Sequence, residues 1–289
     1  MSYSPLHRDF GIRITDTNLR EISVDSGYQK IRQLFEEHSL LLFPAQHLND
    51  IEQLAFAKLF GVIEDRSNAQ MNGPEKISPV SNVKSSGNTY AENDLKTLDL
   101  RSNMLWHTDS TFLPVPALAN ILQARQLPSE GGATEFLSSR AGFNRFDESL
   151  KTRLRTMIFC HRYGHSRAQI DPRLADMDHI GKWPDQRWRA VWENPANHTE
   201  SLYIASHAFQ VEGMTEKQGR DLLKHLIEEI SSEDCIYTHH WQVGDVIIWD
   251  ERAVLHRGTP WPYNEARTLA SVCVSAGLKD GLQLVTPPS

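Results

Sequence analysis

The sequence predicts a single α+β domain built around a β-sandwich or barrel, and three observations carry that expectation. At 289 residues with 39% hydrophobic content the chain can bury a full core, and β-rich domains commonly reach this size as one unit. Short apolar runs bounded by turn residues recur through its middle and end. Helical periodicity is concentrated in the first third and in one segment ahead of the last strands, with no internal repeat or low-complexity tract.

Taken in order, Ile31, Leu34 and Phe35 follow helical spacing between Tyr28 and His38, and Leu40 to Phe43 then forms an apolar run closed by Pro44, so a helix feeds a buried strand. Asn49 caps a second helix carrying Ile51, Leu54, Ala55 and Leu59, with Gly61 placed for a left-handed C-terminal residue. Residues 64–104 lose periodicity, and a polar stretch of that length predicts an active-site lid, with plain disorder as the alternative. Strands are expected at Leu118 to Leu122 and Thr134 to Leu137, divided by the Pro128-Ser129-Glu130-Gly131-Gly132 turn. A helix is expected from about Asp147 to Met157. Residues 161–197, rich in Arg, Asp, Trp and Pro, are expected to form an insertion on the surface or over a pocket mouth. Thr215 with Gln218 makes a capping box for a helix whose stripe is Leu222, Leu223, Leu226, Ile227 and Ile230. Strands resume at Cys235 to Trp241 and Val246 to Trp249.

The formal charge of −7 and pI of about 6.0 leave no electrostatic footprint for nucleic acid or an anionic membrane. Cys160, Cys235 and Cys273 are odd in number and widely spaced, which fits a reduced compartment. Met1 to Phe10 lacks the apolar core of a signal peptide, and no run of about 18 apolar residues occurs. The expected protein is cytoplasmic, works on a small molecule and forms a homo-oligomer, dimer or tetramer, without membrane or nucleic-acid partners.

The chemistry concentrates in Leu105-Trp106-His107-Thr108-Asp109-Ser110. On an extended strand His107 and Asp109 point to one face. His256, within Val254-Leu255-His256-Arg257-Gly258, adds a second imidazole. Two histidines and one carboxylate on one side of a metal are the donor set of non-haem Fe(II) oxygenases. The tripeptide alone is a weak signal: His7-Arg8-Asp9 has the same form and His198-Thr199-Glu200 its longer version. His107 is distinguished by the apolar residues around it, whereas His7 lies in a terminal segment and His198 in a turn-rich one. Adjacent His239 and His240 face opposite ways on a strand, so at most one could join a site. A 2-oxo acid chelating such an iron would leave a position for O₂, and its remote carboxylate would need a bidentate partner. Arg267 is the candidate, with Thr134 as a neutral donor; a surface ion pair is the alternative for Arg267.

These residues resemble the taurine dioxygenase and 2,4-dichlorophenoxyacetate dioxygenase (TauD/TfdA) family of Fe(II)- and 2-oxoglutarate-dependent oxygenases over essentially the whole chain. The matching motifs are Trp106-His-Thr-Asp109-Ser-Thr-Phe112, Gly131-Gly-Ala-Thr134-Glu-Phe136, Gly244-Asp-Val-Ile-Ile-Trp249-Asp250 and His256-Arg-Gly258 followed by Arg267. The resemblance implies a double-stranded β-helix (jelly-roll, cupin-like) core flanked by helices. It implies His107, Asp109 and His256 as Fe(II) ligands, Thr134 and Arg267 on the distal carboxylate of 2-oxoglutarate, Trp249 near the cofactor site, and Asn82 as a lid asparagine near the substrate. The implied reaction uses O₂ and 2-oxoglutarate, releases succinate and CO₂ and hydroxylates the substrate, with C–O or C–S cleavage where the product collapses. Asp109 argues against halogenation, because related halogenases vacate that position.

Two positions depart from the pattern. Members acting on sulfonates or aryloxyacetates carry a second, substrate-gripping arginine four residues after the first, where this chain has Ser271. Either the substrate lacks that anion or another cation, among Arg101, Lys84 and Arg167, supplies the contact. Glu251 stands where the family often has Asn, with no functional change attached to it. Two rival readings remain: another mononuclear metalloenzyme on a cupin-like barrel, which has no use for Thr134 and Arg267 together, and a non-catalytic small-molecule binder.

Overall fold

The computed structural model describes residues 1–64, 77–175 and 183–288. Its main sheet has seven strands in the order Tyr3–Pro5, Ile12–Ile14, Leu40–Phe43, Val246–Asp250, Ala117–Gln126, Thr268–Ser275 and Ser78–Ser81. A three-stranded sheet places Thr134–Ser138 between Ile236–His239 and Val254–Gly258.

Period-two alternation explains how the sheets stack. Leu41, Phe43, Ile121, Val246, Ile248, Val272 and Val274 pack with Ile31, Leu34, Phe35 and Phe56 of the helices Tyr28–His38 and Asp50–Lys58. The alternate residues Leu40, Leu42, Leu122, Ile247, Trp249 and Leu269 pack instead with Phe136 and Val254 of the three-stranded sheet. The central strands therefore bury both faces, which is why they read as continuous apolar runs. On the far side of the small sheet, Leu137 and Leu255 meet Leu223, Leu226 and Ile230 of the helix Glu216–Ile230. Functional side chains on the inner face of either sheet consequently point into one shared interlayer.

Helix starts follow the sequence closely. Asn49 and Thr215 both close capping boxes, and Asp147 caps Glu148–Thr156. The strand expected at Leu118 to Leu122 extends over Ala117–Gln126. One cap expectation is corrected. The second helix ends at Leu59 in right-handed backbone, so Gly61 is not its left-handed cap. The segment 64–104 carries the edge strand Ser78–Ser81 and the helix Leu95–Arg101, begun by an Asp94 side-chain cap; residues 65–76 of the expected lid lie outside the described residues. Of the segment 161–197, residues 176–182 lie outside the described residues and the remainder carries sheet structure. It contributes Gln186–Arg189 to a sheet with Ile158–His161 and Ala208–Val211, and Val191–Glu193 to a pair with Glu200–Leu202. Trp188 and Trp192 are core residues whose indole N–H groups donate to Thr111 O at 2.7 Å and Asp280 O at 3.1 Å. Strands of three or four residues are too short to show a period, which hid them. Among the described residues no helix is long and apolar enough to cross a membrane.

One buried ion network ties distant parts together. Arg252, fully buried, donates to both Asp250 oxygens at 2.8 and 2.9 Å and to Glu36 at 2.5 Å. Burial alone would raise the Glu36 carboxyl, yet the Arg252 and Arg32 charges hold it below its ordinary value.

His161 has the opposite character. It is completely buried, neither ring nitrogen has a partner among the described residues, and burial pulls its pKa to about 3. The unfolded chain would take up that proton near pH 6.5, so stability should fall as pH drops from there toward 3, by about 1 kcal/mol per pH unit. Urea denaturation across this range should show a shallower pH dependence in His161→Phe; an unchanged slope would mean that His161 does not carry the effect.

Candidate metal and oxo-acid site

Backbone pairing brings the two histidines together. His107 N–H donates to His256 O at 3.1 Å and His256 N–H to His107 O at 2.8 Å, an isolated antiparallel bridge that sets the imidazole centroids 4.1 Å apart. His107 Nδ1 lies 2.7 Å from Leu105 O. A carbonyl only accepts, so Nδ1 carries the proton and Nε2 is left as a metal donor. One donor atom from each of His107, Asp109 and His256 lies within 4.8 Å of the others, a cluster that could hold a metal ion.

The expected strand pleat is not what aims Asp109. Residues 108 and 109 lie outside any strand, and Ser110 turns back at φ 62°. Instead Thr108 points the other way, its hydroxyl donating to Glu251 Oε2 at 2.6 Å, while Asp109 N–H donates to the same oxygen at 2.8 Å. Burial, then the Asp109 charge, push the Glu251 carboxyl well above its ordinary range. Asp109 Oδ2 accepts from Asn120 Nδ2 at 2.7 Å, and Asn120 Oδ1 accepts from the Ser271 hydroxyl at 2.9 Å. Cys273 Sγ lies 3.5 Å from the same Asp109 oxygen. Asn120 and Glu251 went unassigned in the sequence; the available signal was a lone Asn in the apolar run from Leu118 to Leu122, on the face shared with Leu122.

Arg267 sits just before the strand Thr268–Ser275. Its Nε and Nη2 donate to Gly132 O at 3.1 and 2.8 Å. Gly132 has φ +65°, and a Cβ there would stand 2.8 Å from Arg267 Nε, so only glycine allows the guanidinium this close. Burial pulls the Arg267 pKa down to about 10, and among the described residues it forms no ion pair. A buried, uncompensated guanidinium is costly unless a ligand anion meets it. Thr134 Oγ1 accepts from Trp241 Nε1 at 2.9 Å; indole is donor-only, so the Thr134 proton stays available for a ligand oxygen.

His107, Asp109, His256, Thr134, Arg267, Trp249 and Ser271 all line one cavity of about 90 Å³. Trp249, fully buried, has its ring 4.6 Å from that of His256. The buried indole N–H groups of Trp249 and Trp261 have no partner among the described residues. These features, a two-histidine and carboxylate donor set beside a guanidinium with no ion pair among the described residues and spare donors, fit a divalent metal carrying an oxo acid. Asn82 is the exception among the expected site residues. Fully buried, it spends its amide on backbone, donating to Tyr263 O and Glu265 O and accepting from Arg267 N at 2.8 Å. It clamps the loop that carries Arg267 rather than lining the cavity. Of the three cations considered for a substrate anion, Arg167 is buried against Asp99 and Tyr163, whereas Lys84 and Arg101 line an adjoining chamber.

The family model described as taurine catabolism dioxygenase TauD, TfdA family, matches residues 2–273. The chain is 32% identical over 274 residues to an (S)-phenoxypropionate/alpha-ketoglutarate-dioxygenase of Sphingobium herbicidovorans, covering 92% of each. It is 31% identical to an alpha-ketoglutarate-dependent 2,4-dichlorophenoxyacetate dioxygenase of Cupriavidus pinatubonensis, covering 92% of this chain and 94% of that one. The crystal structure of AAD-2 in complex with Mn(II) and N-oxalylglycine superposes with a TM-score of 0.88 at 27% identity, covering 96% of this chain and 98% of that chain.

Removing the amide that orients Asp109 should loosen the metal. Asn120→Ala is expected to weaken Mn(II) or Co(II) binding by about tenfold to a hundredfold, read by direct titration of metal-free protein; unchanged affinity would show that Asp109 is oriented without it.

Proposed function

The chain belongs to the TauD/TfdA family, and from that premise we propose that it is an Fe(II)- and 2-oxoglutarate-dependent dioxygenase hydroxylating a small organic substrate. The observation that carries this reading is the meeting in one cavity of the His107, Asp109 and His256 donors with the buried, unpaired guanidinium of Arg267. The main and three-stranded sheets are read as the two walls of a double-stranded β-helix, with the site between them.

In this reading His107, through Nε2, with Asp109 and His256 would hold iron, which when bound supplies the activation of dioxygen. Arg267 would hold the remote carboxylate of 2-oxoglutarate with its fork, and Thr134 would donate its free proton to the same group. Val80, Leu100, Leu122 and Leu269 form apolar wall of the cavity and would keep water from the carbon being oxidised. The net change takes one O₂, one 2-oxoglutarate and a substrate C–H to succinate, CO₂ and a C–OH. Where the oxidised carbon bears an ether oxygen or a sulfonate, the hydroxylated product collapses to a carbonyl and a leaving group. A zinc hydrolase would leave Arg267 without a purpose.

Succinate release from 2-oxoglutarate should require O₂ and stop on chelation of the metal. Arg267→Ala should raise the half-saturating 2-oxoglutarate concentration by about 30-fold or more, the usual consequence of deleting one member of a buried charge pair. Unchanged 2-oxoglutarate affinity would remove Arg267 from this role, and oxygen-independent turnover would remove the oxygenase reading.

A further inference from the structure

Asn82 was expected beside the substrate, the fold withdraws it from the cavity, and its bonds say what it does instead. Completely buried, it uses every polar group on backbone. Its amide nitrogen donates to Tyr263 O at 2.9 Å and Glu265 O at 2.8 Å, and its amide oxygen accepts from Arg267 N–H at 2.8 Å. Its own N–H donates to Arg267 O at 3.3 Å, and its carbonyl accepts from Tyr90 N–H at 2.9 Å. Two donors and an acceptor on a short stem are what a primary amide offers; an aspartate here would turn carboxylate oxygens toward two carbonyls.

The loop that this amide spans ends on Arg267. A second tie lies on its outer side, where Glu265 accepts from Ser129 N–H at 2.6 Å and from the Ser129 hydroxyl at 2.9 Å. Ser129 belongs to the turn whose Gly132 carbonyl receives the guanidinium, and Gly132 N–H donates back to Pro260 O at 3.0 Å. Arg267 is thus fixed at its backbone by Asn82 and at its tip by a turn locked to the same loop. A guanidinium stands at the end of a long flexible stem, and its fork matches a carboxylate only when the two planes align. Both ties bear on that alignment.

We propose that Asn82 is a positioning residue for Arg267, and that Asn82 with the Glu265 tie makes the site select 2-oxo acids bearing a second, remote carboxylate. Asn82 lines no part of the cavity; it acts through the arginine. The proposal rests on the reading of Arg267 as the partner of that carboxylate, and the experiment separates the two.

Calorimetric titration of the Mn(II)-loaded protein compares 2-oxoglutarate with pyruvate, which has the same chelating end and lacks the remote carboxylate. The unaltered protein should prefer 2-oxoglutarate. Asn82→Ala should weaken 2-oxoglutarate by about tenfold and leave Mn(II) and pyruvate affinities unchanged, a selective loss that general loosening of the fold does not give. Combined with Arg267→Ala it should add no further loss. Glu265→Ala, at a partly exposed position, should give a smaller loss of the same selectivity, and it carries the test if Asn82→Ala fails to fold. The proposal is overturned if these variants keep the full preference for 2-oxoglutarate, if they weaken pyruvate equally, or if the Asn82 and Arg267 losses add. If the unaltered protein binds both acids alike, or Arg267→Ala keeps the preference, the reading of Arg267 falls and the proposal with it. A preference lost in Arg267→Ala yet intact in Asn82→Ala overturns the proposal alone.

Discussion

The two backbone hydrogen bonds exchanged by His107 and His256 are the constraint on which the rest of the site depends. They join residues 149 positions apart in sequence, and the pair that results is of the hydrogen-bonded, directly opposed kind found in antiparallel ladders. One partner belongs to the strand Val254–Gly258, held by Thr134–Ser138 along its length. The other belongs to an irregular segment with no ladder of its own. The imidazole of that segment is placed by the strand beside it, and Glu251 and Asn120 hold the residue two positions on, at its backbone N–H and at Oδ2. A metal site of this kind needs its supporting groups as much as its donors.

Charge is distributed around this bridge with a clear logic. Arg252 is buried with two carboxylates around it, a network satisfied within the protein. Arg267 is buried with a carbonyl and an aromatic face but no described carboxylate, a charge left for something that binds. The same contrast separates the two chambers. Around the inner one stand apolar residues and, among the described residues, one arginine; in the outer one the segment preceding the Leu95–Arg101 helix contributes Lys84, Tyr90 and Glu92. His256, Thr134 and Trp249 thus sit on strands with His107, Asp109 and Arg267 beside them, while Lys84, Tyr90 and Glu92 sit on loops, where variation disturbs the core least.

Much of this was legible in the sequence. His107, Asp109, His256, Thr134 and Arg267 announce themselves because imidazole and charged groups are rare beside apolar runs and the order of their motifs is distinctive, and the structure places all five on one cavity. The roles of Asn120, Glu251 and Asn82 were not legible, since each acts through a contact with a residue more than ten positions away. Asn120 reads as a polar interruption of a core strand until Asp109 is seen beside it; Asn82 reads as a substrate contact until its amide is seen spent on the 263–267 backbone. The segment 161–197 misled for a different reason. Its strands are short, and two of its tryptophans, Trp188 and Trp192, which look like surface or pocket residues in a polar context, are packed in the core with their N–H groups satisfied by backbone carbonyls.

The bridged histidines, Asp109 and Arg267 would together hold a metal chelated by a 2-oxo acid. Anaerobic addition of Fe(II) and then 2-oxoglutarate to the metal-free protein, followed by visible absorption, tests this arrangement. A weak metal-to-ligand charge-transfer band is expected that needs both additions and is lost in His256→Ala. Absence of any band in protein shown to contain stoichiometric iron and 2-oxoglutarate would contradict it.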